Sequence, residues 1–185
     1  MAPLFLALSG CLVAVANTQS TDIWRAVTTG RDFYLYKRSY AKLNASCSYV
    51  SVNQTNETIH SYQLKSGYKL PNGTWMGPMY FWGTVINGTS GYWNRVINSG
   101  TPGNTTGQQS DLLYTDGETC TILKAYNASN PSQELGCEMW VKVQNATNPS
   151  QECSSTYTSN CTEAVENNYD TTCPTSLSEI PATQV

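Results

Sequence analysis

The chain has 185 residues, 10 of them basic and 13 acidic, with a formal net charge of −3 and charged side chains making up only 12% of the whole. That length suits one domain with a single core. Charge this sparse excludes the basic stripe of a nucleic-acid binder and the polybasic patch of a membrane-surface protein, so no nucleic acid is expected among its partners.

Leu4 to Ala16 is an uncharged apolar run that ends in Ala14-Val15-Ala16, a small-x-small pattern. It reads as a secretory signal peptide over residues 1–16, although the usual basic n-region is missing, and the mature chain then starts near Asn17. No later stretch is apolar over the length a bilayer needs, so no membrane anchor is expected and the protein reads as secreted. Of the seven cysteines, Cys11 falls in this leader. Cys47, Cys120, Cys137, Cys153, Cys161 and Cys173 remain, an even set that predicts disulfides in an exported chain. None of them has C-x₂₋₄-C spacing and His60 is the sole histidine, so a zinc site is not expected. Spacing alone leaves the pairing open.

Residues 20–27 place N-cap candidates ahead of Ile23, Trp24 and Val27, the pattern of a short helix. The apolar period then becomes two. Residues 32–40, 46–52, 58–64, 79–86, 92–97, 111–114, 120–126 and 137–143 read as strands separated by Asn/Gly/Thr clusters. An antiparallel meander of that kind can close into a barrel holding one small ligand. Near the end, residues 149–166 carry Cys153, Tyr157, Cys161 and Val165 at i, i+4, i+8 and i+12, one stripe of a second helix. The chain after Pro174 reads as a loose tail.

N-glycosylation sequons fall at Asn44, Asn53, Asn56, Asn72, Asn87, Asn104, Asn127, Asn145 and Asn160, whereas Asn130 and Asn148 are followed by proline. So many in an exported chain predict a glycoprotein whose sequons mark exposed positions, which favours a monomer.

Strand alternation has one consequence for residues 137–143. If Cys137 bonds to the second helix outside the barrel, Met139, Val141 and Val143 also face outward, and Glu138 and Trp140 point in. The alternative leaves Glu138 solvated near the rim.

The whole pattern resembles the tick salivary lipocalins that include the histamine-binding proteins. Asp22-Ile23-Trp24-Arg25 is similar to the family's D-A-W-K, and Cys47 follows the first strand as a framework cysteine. Residues 111–116, Asp-Leu-Leu-Tyr-Thr-Asp, lead to Cys120; Cys137-Glu138-Met139-Trp140 resembles the C-E-L-W box; and Tyr169-Asp170-Thr171-Thr172-Cys173 follows the cysteine-bearing helix. Each motif is short, but their order and spacing are specific and span nearly the whole mature chain. The resemblance implies an all-β fold: an eight-stranded antiparallel lipocalin barrel over residues 17–174, with a short N-terminal helix, a C-terminal helix packed outside the barrel, and a flexible tail over 175–185. It implies the bridges Cys47–Cys173, Cys120–Cys153 and Cys137–Cys161.

In amine-binding members the glutamate of that box meets the ligand's ammonium within an aromatic cage, and Glu138 matches it. A buried cation needs such a carboxylate, and aromatic faces add cation–π attraction. Tyr36 and Tyr40 share a parity in the first strand with Arg38 between them, and the resemblance puts a pocket tyrosine near Tyr40, with Trp140 joining from the last strand. Each aromatic has the plainer alternative of filling a small barrel. Departures from the amine-binding pattern are also legible. The loop at Leu43-Asn44-Ala45-Ser46 holds no acid, Thr58 to Ser110 contains no Asp or Glu, and Thr121 follows Cys120 where some amine binders have an acid. At most one amine site is therefore expected, better suited to a singly charged amine such as serotonin than to doubly charged histamine, while Arg38 would suit an anionic lipid.

The expected role is sequestration of a small host mediator, amine or lipid, to suppress host defence; the alternative is an immunomodulator acting on a host immune protein or cell. No cofactor is expected. Nor is an enzyme, since a single histidine and no paired strand carboxylates leave little acid–base machinery.

Overall fold

The structure is a computed structural model and describes residues 22–42, 44–87 and 93–181, so the expected signal peptide lies outside it. Helix α1 (Ile23–Thr29) is capped by Asp22, whose carboxylate accepts the backbone N–H of Trp24 at 2.9 Å. Its apolar residues Ile23 and Ala26, one turn apart, are buried.

Eight strands follow: β1 (Asp32–Arg38), β2 (Ser46–Asn56), β3 (Ser61–Lys69), β4 (Trp75–Asn87), β5 (Trp93–Ser99), β6 (Gln108–Thr115), β7 (Cys120–Asn127) and β8 (Asn130–Lys142). They pair antiparallel in chain order, and β1 bonds to both β8 and β2, which closes the barrel. A two-residue β9 (Glu166–Asn167) takes the place of β2 beside the second half of β1, with Lys37 opposite Asn167 and Arg38 opposite Glu166. Every predicted strand is present, but several run further into polar sequence. β8 starts at Asn130 rather than 137 and β4 at Trp75 rather than 79, because ladder hydrogen bonds do not require apolar side chains. The third strand starts later, at Ser61, because residues 57–60 form the turn and His60 takes a left-handed φ of 44°.

The outer surface of β6–β8 carries Tyr114, Cys120, Ile122, Cys137, Met139 and Val141, and helix α2 (Gln151–Asn160) covers it with buried Cys153 and Tyr157. The bridges Cys120–Cys153 and Cys137–Cys161 fasten that helix to the strands, and Cys47–Cys173 fastens the C-terminal segment to β2. α2 is shorter than the predicted stripe. Cys161 caps it in extended conformation, and Val165 lies beyond it, 62% exposed, where the chain turns to form β9. Val143 faces outward, but it packs under the C-terminal segment beside Tyr34, Tyr49 and Cys173 rather than under α2.

The part of the expected loose tail that is described, residues 175–181, packs back on the barrel, and residues 182–185 lie outside the described residues. Leu177–Glu179 forms a 3-10 turn, and Leu177 and Ile180 lie against the cluster that holds Cys47–Cys173. Buried Asn168 stitches this segment in: its N–H donates to Tyr36 O at 3.0 Å and its carbonyl accepts from Cys47 N–H at 2.7 Å.

Peptide mapping of the secreted protein under non-reducing conditions should recover 47–173, 120–153 and 137–161 and no other pair. Replacing Cys120 and Cys153 together by serine should cost about 2–5 kcal/mol, read as a lower thermal midpoint, with the barrel's circular dichroism retained.

Candidate functional site

The barrel interior is a cavity of about 510 Å³, within the range of sites for drug-sized ligands. Ile23, Ala26 and Val27 of α1 close one end, and Lys42, Ser66, Met79, Ser99 and Gly100 border the other. Between them the wall is mainly apolar, formed by inward residues such as Val52, Tyr62, Leu64, Phe81, Val96 and Leu123, with Asn98, Ser110 and Thr121 as polar members. The alternation within each strand produces this lining, because one parity faces in while the other meets solvent or α2. Gly83 faces Tyr62, and a Cβ there would collide with the ring. The missing side chain lets the tyrosine lie against the wall.

Glu138 and Lys42 are the charged residues lining this cavity among the described ones. Glu138 is 91% buried (9% exposed), and both its oxygens are engaged. The Tyr40 hydroxyl donates to Oε1, and the Trp140 indole N–H donates to Oε2 at 3.0 Å. Burial, together with the neighbouring Glu138 carboxylate, pushes the Tyr40 phenol well above its ordinary value, so it stays a donor at any physiological pH. Trp140 and Thr121 line the cavity beside Glu138. The carboxylate is thus preorganised by two donors and still has lone pairs to offer a ligand.

The sequence-predicted site separates into three groups. Glu138 and Trp140 lie on the cavity wall, and Tyr40 stands behind Glu138 as its hydrogen-bond partner. Arg38 is 4% exposed but is not on the cavity wall; it pairs with Glu166 of β9, its Nε donating to Oε2 at 2.6 Å, and lies over the Tyr40 ring. The expectation that it would greet an anionic lipid is therefore corrected, since a carboxylate from the C-terminal segment already neutralises it. Tyr36 is corrected too. The ladder between β1 and β8 shifts register between Leu35 and Lys37, a β-bulge that reverses the parity on which the tyrosines were grouped. Tyr36 faces outward and stacks on Tyr169 with ring centroids 5.8 Å apart.

Sequence reasoning missed most of the cavity, including Phe33, Lys42 and the α1 plug. Alternation outward from Glu138 would have found Thr121 and Leu123, because Leu123 sits directly opposite it on β7. Lys42 lies on a loop and carries no periodic signal. The acid-free run through β3–β5 leaves that part of the wall without a carboxylate. Of the sequon asparagines, Asn44, Asn53, Asn56, Asn72, Asn87 and Asn160 are exposed and Asn104, Asn127 and Asn145 half-buried, so each reaches solvent.

Solved structures share this fold. Japanin from Rhipicephalus appendiculatus, solved bound to cholesterol, is 16% identical, with 80% of this chain and 98% of that chain covered and a TM-score of 0.56. The siderocalin Ex-FABP is 7% identical, with 69% and 80% covered and a TM-score of 0.50. No curated protein sequence matches significantly. A family model described as tick histamine binding protein matches residues 14–175. The chain therefore belongs to the tick histamine-binding protein family, and its barrel is that of a lipocalin.

Proposed function

We propose that this protein is a secreted carrier that sequesters a small, mainly apolar host mediator bearing one donor group, which is held by Glu138. The observation that carries the reading is a single, pre-bonded carboxylate in a mainly apolar cavity whose other charged residue among those described, Lys42, stands at the border. An apolar wall favours a ligand with a large hydrocarbon or aromatic body. One carboxylate oriented by Tyr40 and Trp140 suits either a hydroxyl, which donates one hydrogen bond, or a single ammonium, which it also neutralises. Histamine's second polar group, its imidazole, would find no second carboxylate on this wall among the described residues. Export is supported by the apolar leader, the disulfides and the sequons.

Two ligand classes fit, a hydroxylated lipid and a singly charged aromatic amine. The cholesterol bound to Japanin supports the first. The inward glutamate with Trp140 beside it supports the second.

Native mass spectrometry of the secreted, deglycosylated protein should reveal a retained small apolar ligand. Titration with a sterol, serotonin and histamine should then rank histamine last. Glu138→Ala should weaken the preferred ligand at least about tenfold, since a hydrogen bond to a charged group contributes about 1.5–3 kcal/mol. Glu138→Gln separates the classes. It keeps an acceptor and loses the charge, so a hydroxyl ligand should change by about threefold or less and an amine by about tenfold or more. Unchanged affinity of every ligand in Glu138→Ala would overturn the reading.

A further inference from the structure

Four connections gather at the open end of the barrel: β1–β2, β3–β4, β5–β6 and β7–β8. The cavity mouth, with Lys42, Ser66, Met79, Ser99 and Gly100 at its border, lies among them. Every one of these connections carries a sequon: Asn44, Asn72, Asn104 and, at the last residue of β7, Asn127. All four asparagines reach solvent.

In three of them the Asn side chain already sits beside the rest of its sequon. Oδ1 accepts the backbone N–H two residues on, from Thr74 to Asn72 at 3.0 Å, from Thr106 to Asn104 at 2.9 Å and from Ser129 to Asn127 at 2.9 Å. At Asn104 the Thr106 hydroxyl donates to the same oxygen at 2.7 Å. A second, independent observation concerns β4, which follows the Asn72 loop. In its first half Met79, 47% exposed, borders the cavity mouth, and Met76 and Tyr80 are exposed at 37% and 57%. Apolar side chains left exposed at the rim of a barrel invite association, and the Asn72 sequon lies on the loop that leads into this strand.

We propose that glycans on Asn44, Asn72, Asn104 and Asn127 form a collar around the cavity mouth that admits a free small ligand and keeps membranes and other proteins off it. The inference rests on the secreted, small-ligand reading above. Each attachment joins Asn Nδ2 to the anomeric carbon of an oligosaccharide carried on a lipid diphosphate. The anomeric C–O bond breaks, the diphosphate leaves with its electron pair, and the amide proton passes to base. Ligand would then enter as a free solute from the aqueous phase, because no membrane can reach the rim.

The test uses the secreted, glycosylated full chain. Peptide-level glycan mapping should find all four mouth sequons occupied, and vacancy at two or more overturns the collar. Free N-phenyl-1-naphthylamine should bind the wild type and the variant Asn44→Gln/Asn72→Gln/Asn104→Gln/Asn127→Gln within about twofold of each other, whereas the same dye on a short linker to streptavidin should bind the wild type at least about tenfold more weakly than the variant. Equal binding of the tethered dye to both proteins overturns the proposal. The control variant Asn53→Gln/Asn56→Gln/Asn87→Gln/Asn160→Gln should still exclude the tethered dye. Enzymatic trimming of the folded wild type should admit it, which guards against misfolding of the quadruple variant. Failure of the free dye to bind either protein overturns the small-ligand reading instead. The collar is then judged on trypsin cleavage after Lys42, expected to be slower in the wild type than in the quadruple mouth variant; equal cleavage overturns it.

Discussion

A carboxylate inside an apolar cavity has to be hydrogen-bonded, or it gives up its charge. Much of the local architecture around Glu138 answers to that requirement. Tyr40, just past the end of β1, and Trp140, two residues along β8, each donate to one of its oxygens. Arg38 faces Glu138 in the β1–β8 register, and its charge is drawn to Glu166 on β9. The site therefore needs the C-terminal segment as much as it needs the barrel, since β9 supplies the carboxylate that occupies Arg38 on the strand beside the ligand wall.

The hollow interior explains why so much packing lies outside the strands. A barrel that keeps its centre open cannot use that volume for close packing. Two outer clusters compensate. One lies under α2 around Ile122, Met139 and Tyr157, and the other lies under the C-terminal segment around Tyr34, Tyr49 and Val143. Each cluster is pinned by disulfides, which restrict the unfolded chain where a small core would leave stability marginal. Only the α1 end is built as a plug, with Ile23, Ala26 and Val27 turned into the cavity. The proposed ligand would then enter at the opposite end.

Where sequence reading and structure part company, a local event intervened that no periodicity records. The bulge at residues 35–37 reversed parity partway along β1, so Tyr36 turned outward although Tyr40 stayed with Glu138. The i, i+4 stripe of α2 held through Cys153, Tyr157 and Cys161, then failed at Val165, because the chain was recruited into β9. Arg38 was read by its face alone, yet its role depends on Glu166, 128 residues away.

By itself the sequence pointed to the class of object: eight strands able to close into an antiparallel barrel with flanking helices, six cysteines available for its bridges, and one glutamate that faces inward if Cys137 faces out. Those features are local, carried by period-two and period-four patterns and by motifs a few residues long. Tertiary structure alone decided which groups meet at the cavity, that Tyr40 and Trp140 preorganise Glu138, that Arg38 is diverted, and that the tail through Ile180 belongs to the fold. All of these depend on contacts between residues far apart in the chain, and strand alternation cannot specify them once a bulge, a cap or a returning segment changes the face a side chain presents.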